Sequence, residues 1–321
     1  MSEKYIYLDW NVVKYIKKPR EDKFNELDVS FSKLIKKLSR KYKTPFSEGH
    51  LADLLISYSE KNKEKVDSDL DFVNKISQST FVKVVDNSVE FHNIDPRIGF
   101  YQYIKEINSI KNEPFSISVV GEKIDVDMKQ LNKDELLGKH IFENDGQLDA
   151  KTYKNFLLEV MEKMDEPAYY KSLRENIINL KTTFSKRDTV LDQGSDYFSE
   201  ISPLLDFMLE DDENKIESSL YEAGCVLSYI NREKFDNKSL TEKVQILYHA
   251  LDFNFHLKEK VNKKNKPSNI HRDGLNLIHA LHAKYYITED KNTKLKSKLV
   301  LSALSHKLKV LDMQEFMHKF D

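Results

Sequence analysis

The sequence predicts an α/β fold: a three-layer α/β/α sandwich with a central, mostly parallel sheet and a large, mostly helical insertion. Three observations carry that expectation. Short, nearly continuous apolar runs at residues 5–8, 79–86, 285–288 and around Leu308 suit strands covered on both faces. Stretches of helical apolar spacing separate them. The alternation is confined to the two ends of the chain, flanking a helical middle. This places 1–90 and 265–321 in one discontinuous domain and 91–264 in the insertion.

The first strand is "YIYL", ending at Asp9. Phe24, Leu27, Phe31, Leu34, Ile35 and Leu38 then recur at helical spacing, with lysines on the opposite face and Pro45 closing the element. "TPFSEGHLADLLISYSE" reads as a short strand, a Ser47 cap and a helix with His50, Leu51, Leu54, Leu55 and Tyr58 inward. "STFVKVVD" is a further strand, and "FSISVVGEKIDVDM" a hairpin turning at Gly121. From about Asp134 to Leu257 the chain is mainly helical, with one stripe through Tyr153, Phe156, Leu157, Val160, Met161 and Met164. "VNKKNKPSN" is the best linker. After it come a helix in "RDGLNLIHALHA" opened by Asp273, the strand "KYYIT", a helix in "KLVLSALSHK", the strand "LKVLD" and a closing helix in "MQEFMHKF".

Composition narrows the function classes. The 321 residues are enough for one large domain or two ordinary ones, and 40% hydrophobic residues, with 18 Phe and 16 Tyr, fill a core and exclude a wholly disordered chain. With 51 basic against 53 acidic side chains the net charge is -2, so any nucleic-acid footprint has to be local. Cys225 is the single cysteine, which excludes an intrachain disulfide and a cysteine-based zinc site; its apolar neighbours favour an inert thiol. No apolar run approaches the ~20 residues of a membrane span. The N-terminus runs straight into a strand without a basic-then-apolar leader. The expected location is therefore the cytoplasm, without a membrane partner.

Acids stand beside several of these elements: Asp9 after the first strand, Glu48 and Asp53 on the helix of "SEGHLADLL", Asp273 in "RDGLN", and Asp290 after "YYITE". Each has an ordinary explanation as a helix cap, a first-turn charge or a turn former. Together they meet a different demand. Clustered carboxylates repel one another, and Mg²⁺ or Mn²⁺, which prefer hard oxygen ligands, remove that penalty. Such a site can lower the pKa of water and stabilise charge on a phosphodiester under attack.

"YIYLDWNVV", "FSEGHLADLL", "RDGLNLIHALHAKYYITED" and "LKVLDMQEF" together resemble PIN-domain nucleases. The resemblance covers roughly the first sixty and last fifty residues. It implies a metal-dependent endoribonuclease whose catalytic acids are Asp9, Asp53, Asp273 and Asp290. Asp9, Asp273 and Asp290 would hold Mg²⁺ or Mn²⁺, Asn11 and Thr288 would act as supporting groups, and Glu48 is the alternative second acid. Two departures stand out: Trp10 occupies a place where a small polar residue is more usual, and Asp53 replaces the commoner Glu.

Other readings compete. A PIN-like scaffold with a weak site would bind without cutting. A haloacid dehalogenase-type phosphatase also ends its first strand in Asp, but Asn11 stands where its second acid belongs. His279 and His282, with His271 nearby, suggest zinc but lack enough ligands. The expected substrate is RNA, with lysines at 33–43, 258–266 and 291–298 as candidate phosphate contacts and Trp10, Tyr285 and Tyr286 as candidate stacking groups. A toxin, defence or processing role stays open, as does a regulatory protein partner or homo-oligomer.

Overall fold

A computed structural model describes residues 4–85, 87–112, 124–125, 136–176, 195–230, 233–263 and 265–320. The chain divides into two compact units: Met1–Ile104 with Ile178–Glu259 and Asn269–Asp321, and Lys105–Ile177 with Lys260–Ser268. Residues 91–264, expected as one insertion, are thus shared between the two units.

In chain order the elements are β1 (Ile6–Leu8), α1 (Trp10–Lys17), α2 (Asn25–Leu38), α3 (Glu48–Ser57), α4 (Lys63–Ser77), β2 (Thr80–Val85), β3 (Ser88–Asn93), α5 (Pro96–Asn112), β4 (Ile124–Asp125), α6 (Leu136–Glu143), β5 (Gln147–Leu148), α7 (Ala150–Met164) and α8 (167–176). They continue as α9 (Ser195–Leu209), α10 (Glu213–Ile230), α11 (Leu240–Phe253), α12 (Pro267–Ala280), β6 (Tyr285–Ile287), α13 (Lys291–Ala303), β7 (Lys309–Leu311) and α14 (Met313–Met317). None of the described helices is long and apolar enough to cross a membrane.

The first unit is mixed α/β around a small parallel sheet in the order β1-β6-β7. Ile6 faces Tyr285, Tyr7 faces Tyr286 and Leu8 faces Ile287, so the opening strand lies against one encoded near the far end of the chain. The ladder continues beyond β1. A parallel bridge joins Tyr5 to Lys43 and another joins Phe46 to Phe81, linking the extended segment 43–46 to β1 on one side and to the β2–β3 hairpin on the other. The spatial sequence is therefore β3, β2, segment 43–46, β1, β6, β7. Successive chain segments move outward on one side of β1, then the chain returns to start the other side at β6. That reversal is the topological switch point of an open α/β sheet, the place where such sheets open a crevice at their carboxyl edge.

Pleating divides the strand side chains. Ile6, Leu8, Tyr285 and Ile287 enter a core with Val12 and Val13 of α1, Phe31 and Ile35 of α2 and Phe316 of α14. Tyr5, Tyr7 and Tyr286 carry their hydroxyls to the other face. There Tyr5 donates to His279 O of α12 at 2.7 Å, and the Tyr7 and Tyr286 rings meet edge-on. Tyr5 and Tyr7 find hydrogen-bond partners for their buried hydroxyls, while that of Tyr286 has none, and this polar layer lies beside the candidate site.

Several expectations change. α12 begins at Pro267, a residue suited to a first helical position, so Asp273 lies in the second turn and does not open the helix. Gly121 and most of "FSISVVGEKIDVDM" lie outside the described residues; Ile124 and Asp125 pair with Leu148 and Gln147. In the second unit β4, β5, α6 and α7 form one cluster, and Asp165 accepts from Ser268 N at 2.9 Å to cap the first turn of α12.

Candidate active site

Parallel strands end on a common edge, so Asp9, Thr288 and Asp312 follow directly after β1, β6 and β7. Each opens a helix or precedes its cap. Asp9 caps α1, accepting from Trp10 N through Oδ1 at 2.7 Å, and its Oδ2 accepts the Thr288 hydroxyl at 2.7 Å. Asp290 caps α13 by accepting from Thr293 N at 2.9 Å, and its own N–H donates to Thr288 Oγ1 at 3.2 Å. Capping is thus a real role of both acids, and it orients them on neighbouring strands.

The four acids fall within electrostatic reach of one another. Burial, then the charge of Asp53, and more weakly that of Asp290, push Asp9 up to about 7. Burial and the charges of Asp9, Asp53 and Asp290 push Asp273 well above the ordinary carboxyl range. Asp53 is raised by burial and restrained by Asn276, Arg272 and Lys14. Asp312 shows what an acid at this edge looks like when it is satisfied: Lys294 Nζ sits 2.7 Å away and, with backbone donors, holds its carboxyl below the usual range against the opposing effect of burial. Among the described residues no cation figures in the main influences on Asp9 and Asp273.

α3 reaches the site through a buried polar chain. Ser47 caps α3, and His50 returns the bond by accepting Ser47 N on Nδ1 at 3.1 Å. His50 Nε2 faces Leu8 O at 2.7 Å, which makes it the donor; burial drops this imidazole to about 4 and keeps it neutral. Tyr7 bonds Ser47 Oγ at 2.6 Å and donates to Asn276 Oδ1 at 2.8 Å, and Asn276 Nδ2 donates to Asp53 Oδ2 at 3.3 Å. Arg272 Nε lies 3.3 Å from Asp53 Oδ1. Gly49 permits this approach: a Cβ there would stand 2.1 Å from Asn276 Oδ1.

Asp53, therefore, is the α3 acid that acts on Asp9 and Asp273, while Glu48 is exposed at the first turn. Asn11 is partly buried in the first turn of α1. Arg272, Asn276 and Tyr7 were not anticipated as site residues, although the i, i+4 spacing of Arg272 and Asn276 places them on one helix face. Two tyrosines were also missed in this role. The Tyr286 hydroxyl is buried without a hydrogen-bond partner and feels Asp9 and Asp273; Tyr248, from α11, feels Asp273 and Asp290. Tyr285 belongs to the core, and Tyr286 is fully buried, so neither stacks on a base as the structure stands.

Beside Asp290 opens a cleft of about 770 Å³ walled by Arg20, Phe24, Lys291, Lys294 and Lys298. Within the expected 291–298 lysine group, Lys296 is withdrawn: it is 1% exposed and paired with Glu259 at 2.9 Å and Asp252 at 3.4 Å. Lys294 is committed to Asp312 and Glu315. Lys291 and Lys298 remain exposed.

The donor set suits a hard divalent cation: oxygen ligands, mutually raised carboxyls and a shortage of positive charge. Among the described residues no three His, Cys, Asp or Glu groups are drawn close enough to hold an ion as the side chains stand. Holding one therefore requires carboxylates to turn inward. Comparison of the chain with protein-family models, curated proteins and solved structures returns no match.

Proposed function

We propose that this chain is a PIN-like, metal-dependent endoribonuclease with its four acids at the switch point of a three-layer α/β/α sandwich. What supports the reading is that these acids from both ends of the chain act on one another: Asp53 and Asp290 raise Asp9, and Asp9, Asp53 and Asp290 raise Asp273. Carboxyls raised in this way either keep a proton or are relieved by a bound cation, and such perturbed groups cluster at functional sites.

In this reading Asp9 and Asp273, with Asp290, would hold Mg²⁺ or Mn²⁺. When bound, such a cation offsets the carboxylate and phosphate charges and lowers the pKa of water. Thr288 fixes the Asp9 carboxylate, Asn276 and Arg272 fix that of Asp53, and exposed Lys291 and Lys298 meet phosphates along the cleft. The reaction adds water to phosphorus as the bond to a sugar oxygen breaks and that oxygen takes up a proton.

The test assays Asp9→Asn and Asp273→Asn, verified as folded, on single-stranded and looped RNA with Mn²⁺ and with chelator. Loss of cleavage in both variants supports the reading. Unchanged cleavage, or cleavage surviving full chelation, overturns it. A wild-type chain that binds RNA without cutting it favours the scaffold reading.

A further inference from the structure

Outside the acid cluster, two histidines from different helices meet. His249 Nε2 of α11 lies 3.4 Å from His271 Nδ1 of α12, with the rings stacked at 30° and their centroids 5.7 Å apart. We propose that these two nitrogens form the protein half of a transition-metal site of the Zn²⁺ type, clamping α11 to α12.

The separation is the first argument. Two imidazole nitrogens bound at about 2.0–2.1 Å to one tetrahedral ion stand about 3.3–3.4 Å apart. The observed pair already has that spacing; without an ion the contact is an N–H···N hydrogen bond, and ligation requires each imidazole to carry its proton on its other ring nitrogen with both lone pairs turned to a common point. Neutral imidazole is the form that ligates metals.

A further ligand is at hand. Gln245 lies one turn before His249, and its amide nitrogen is 3.5 Å from His271 Nδ1; turned by half a rotation, that amide presents its oxygen to the same point. His249 and Gln245 also line a cavity of about 450 Å³, which leaves room for water or an exogenous ligand in the remaining position. Imidazole donors select zinc, copper or nickel over Mg²⁺. The site shares no ligand with the four acids, and the pairing of His271 with His249 departs from the grouping with His279 and His282 that the sequence suggests: His279 is 4% exposed with neither ring nitrogen partnered.

The experiment titrates the full chain, purified without a histidine tag, with Zn²⁺ against a chromophoric chelator, and follows thermal unfolding in parallel. One equivalent binding in the micromolar range, weakened at least tenfold by His249→Ala and by His271→Ala and unchanged in Asp9→Asn/Asp273→Asn, supports the proposal. Zn²⁺ should raise the melting temperature of the wild type and not of the histidine variants. His271 is exposed, so His271→Ala serves as the decisive variant if His249→Ala fails to fold. Equal Zn²⁺ affinity in wild type and His271→Ala, no binding tighter than millimolar, or loss of binding in the Asp9→Asn/Asp273→Asn chain would each overturn it.

Discussion

The Thr288 hydroxyl donates to Asp9 Oδ2 at 2.7 Å, joining the ends of two neighbouring parallel strands across 279 positions of sequence. A hydrogen bond to a buried carboxylate is worth roughly 1.5–3 kcal/mol. Thr288→Val keeps the shape and removes the donor, so it should destabilise the fold by an amount in that range above pH 7. Thr288→Ser should recover most of the loss. Chemical denaturation of the three chains measures both, and RNA cleavage, if present, should follow the same order.

Gly49→Ala tests the closeness of α3 to α12. The added methyl would lie 2.1 Å from Asn276 Oδ1 and 3.2 Å from the Tyr7 hydroxyl. Asn276 has to move, which costs Asp53 a donor and Tyr7 an acceptor. The expected loss is about 1–3 kcal/mol of stability, read from the denaturation midpoint. An Asn276→Ala background should remove much of the difference, because it deletes the clashing group.

Asp9 gives a pH dependence of defined sign. Its folded pKa of about 7 stands above the unfolded value of 3.8, so the folded chain retains a proton that the unfolded chain has released. Stability should therefore fall as pH rises from about 4 to about 7, and Asp53 and Asp273, also raised, act in the same direction. The full shift of Asp9 corresponds to roughly 4 kcal/mol at most. Asp9→Asn should accordingly be more stable than wild type at pH 8, with the gap narrowing toward pH 4. Mn²⁺ should stabilise the wild type at pH 8 and leave Asp9→Asn largely unaffected.

Lys291 and Lys298 lie two turns apart on α13 and are exposed along the cleft beside Asp290. Replacing both with Ala should weaken single-stranded RNA binding and reduce the salt slope of log K by about 0.7 per lost phosphate contact. Lys296→Ala should instead destabilise the fold, because Asp252 and Glu259 lose a buried cation. Fluorescence anisotropy at several salt concentrations, beside a melting curve, separates the two effects.

Local signals were legible and long-range ones were not. The strands ending at Leu8 and Ile287 could be read because buried parallel strands are short apolar runs, and the edge strand ending at Leu311 through Val310 and Leu311 after a helix. The Ser47 cap was equally visible, since its partners Gly49 and His50 are adjacent. α1 was missed as a separate helix, although Trp10, Val12, Val13 and Ile16 carry helical spacing, because the motif around Asp9 drew the reading toward a turn. β3 was passed over although Val89 and Phe91 alternate with polar residues, because only two apolar positions carry the pattern. Asp9, Asp53, Asp273 and Asp290 were all named from sequence. Arg272, Asn276 and Tyr248 were not, since their roles come from which helices pack together. Helices α9 to α11 likewise belong with the sheet-bearing unit through tertiary contacts that no local pattern encodes.

The pairing of β1 with β6 also sets a schedule. During synthesis Asp9 emerges while its neighbours on the edge are still unmade; Asp273, Thr288 and Asp290 follow it by more than 260 residues. At about 5–20 residues per second, the first strand waits on the order of tens of seconds for its partner. Closing so long a loop carries an entropic penalty that short-range contacts avoid. A nascent or prematurely released chain thus holds Asp9 and Asp53 without Asp273 and Asp290.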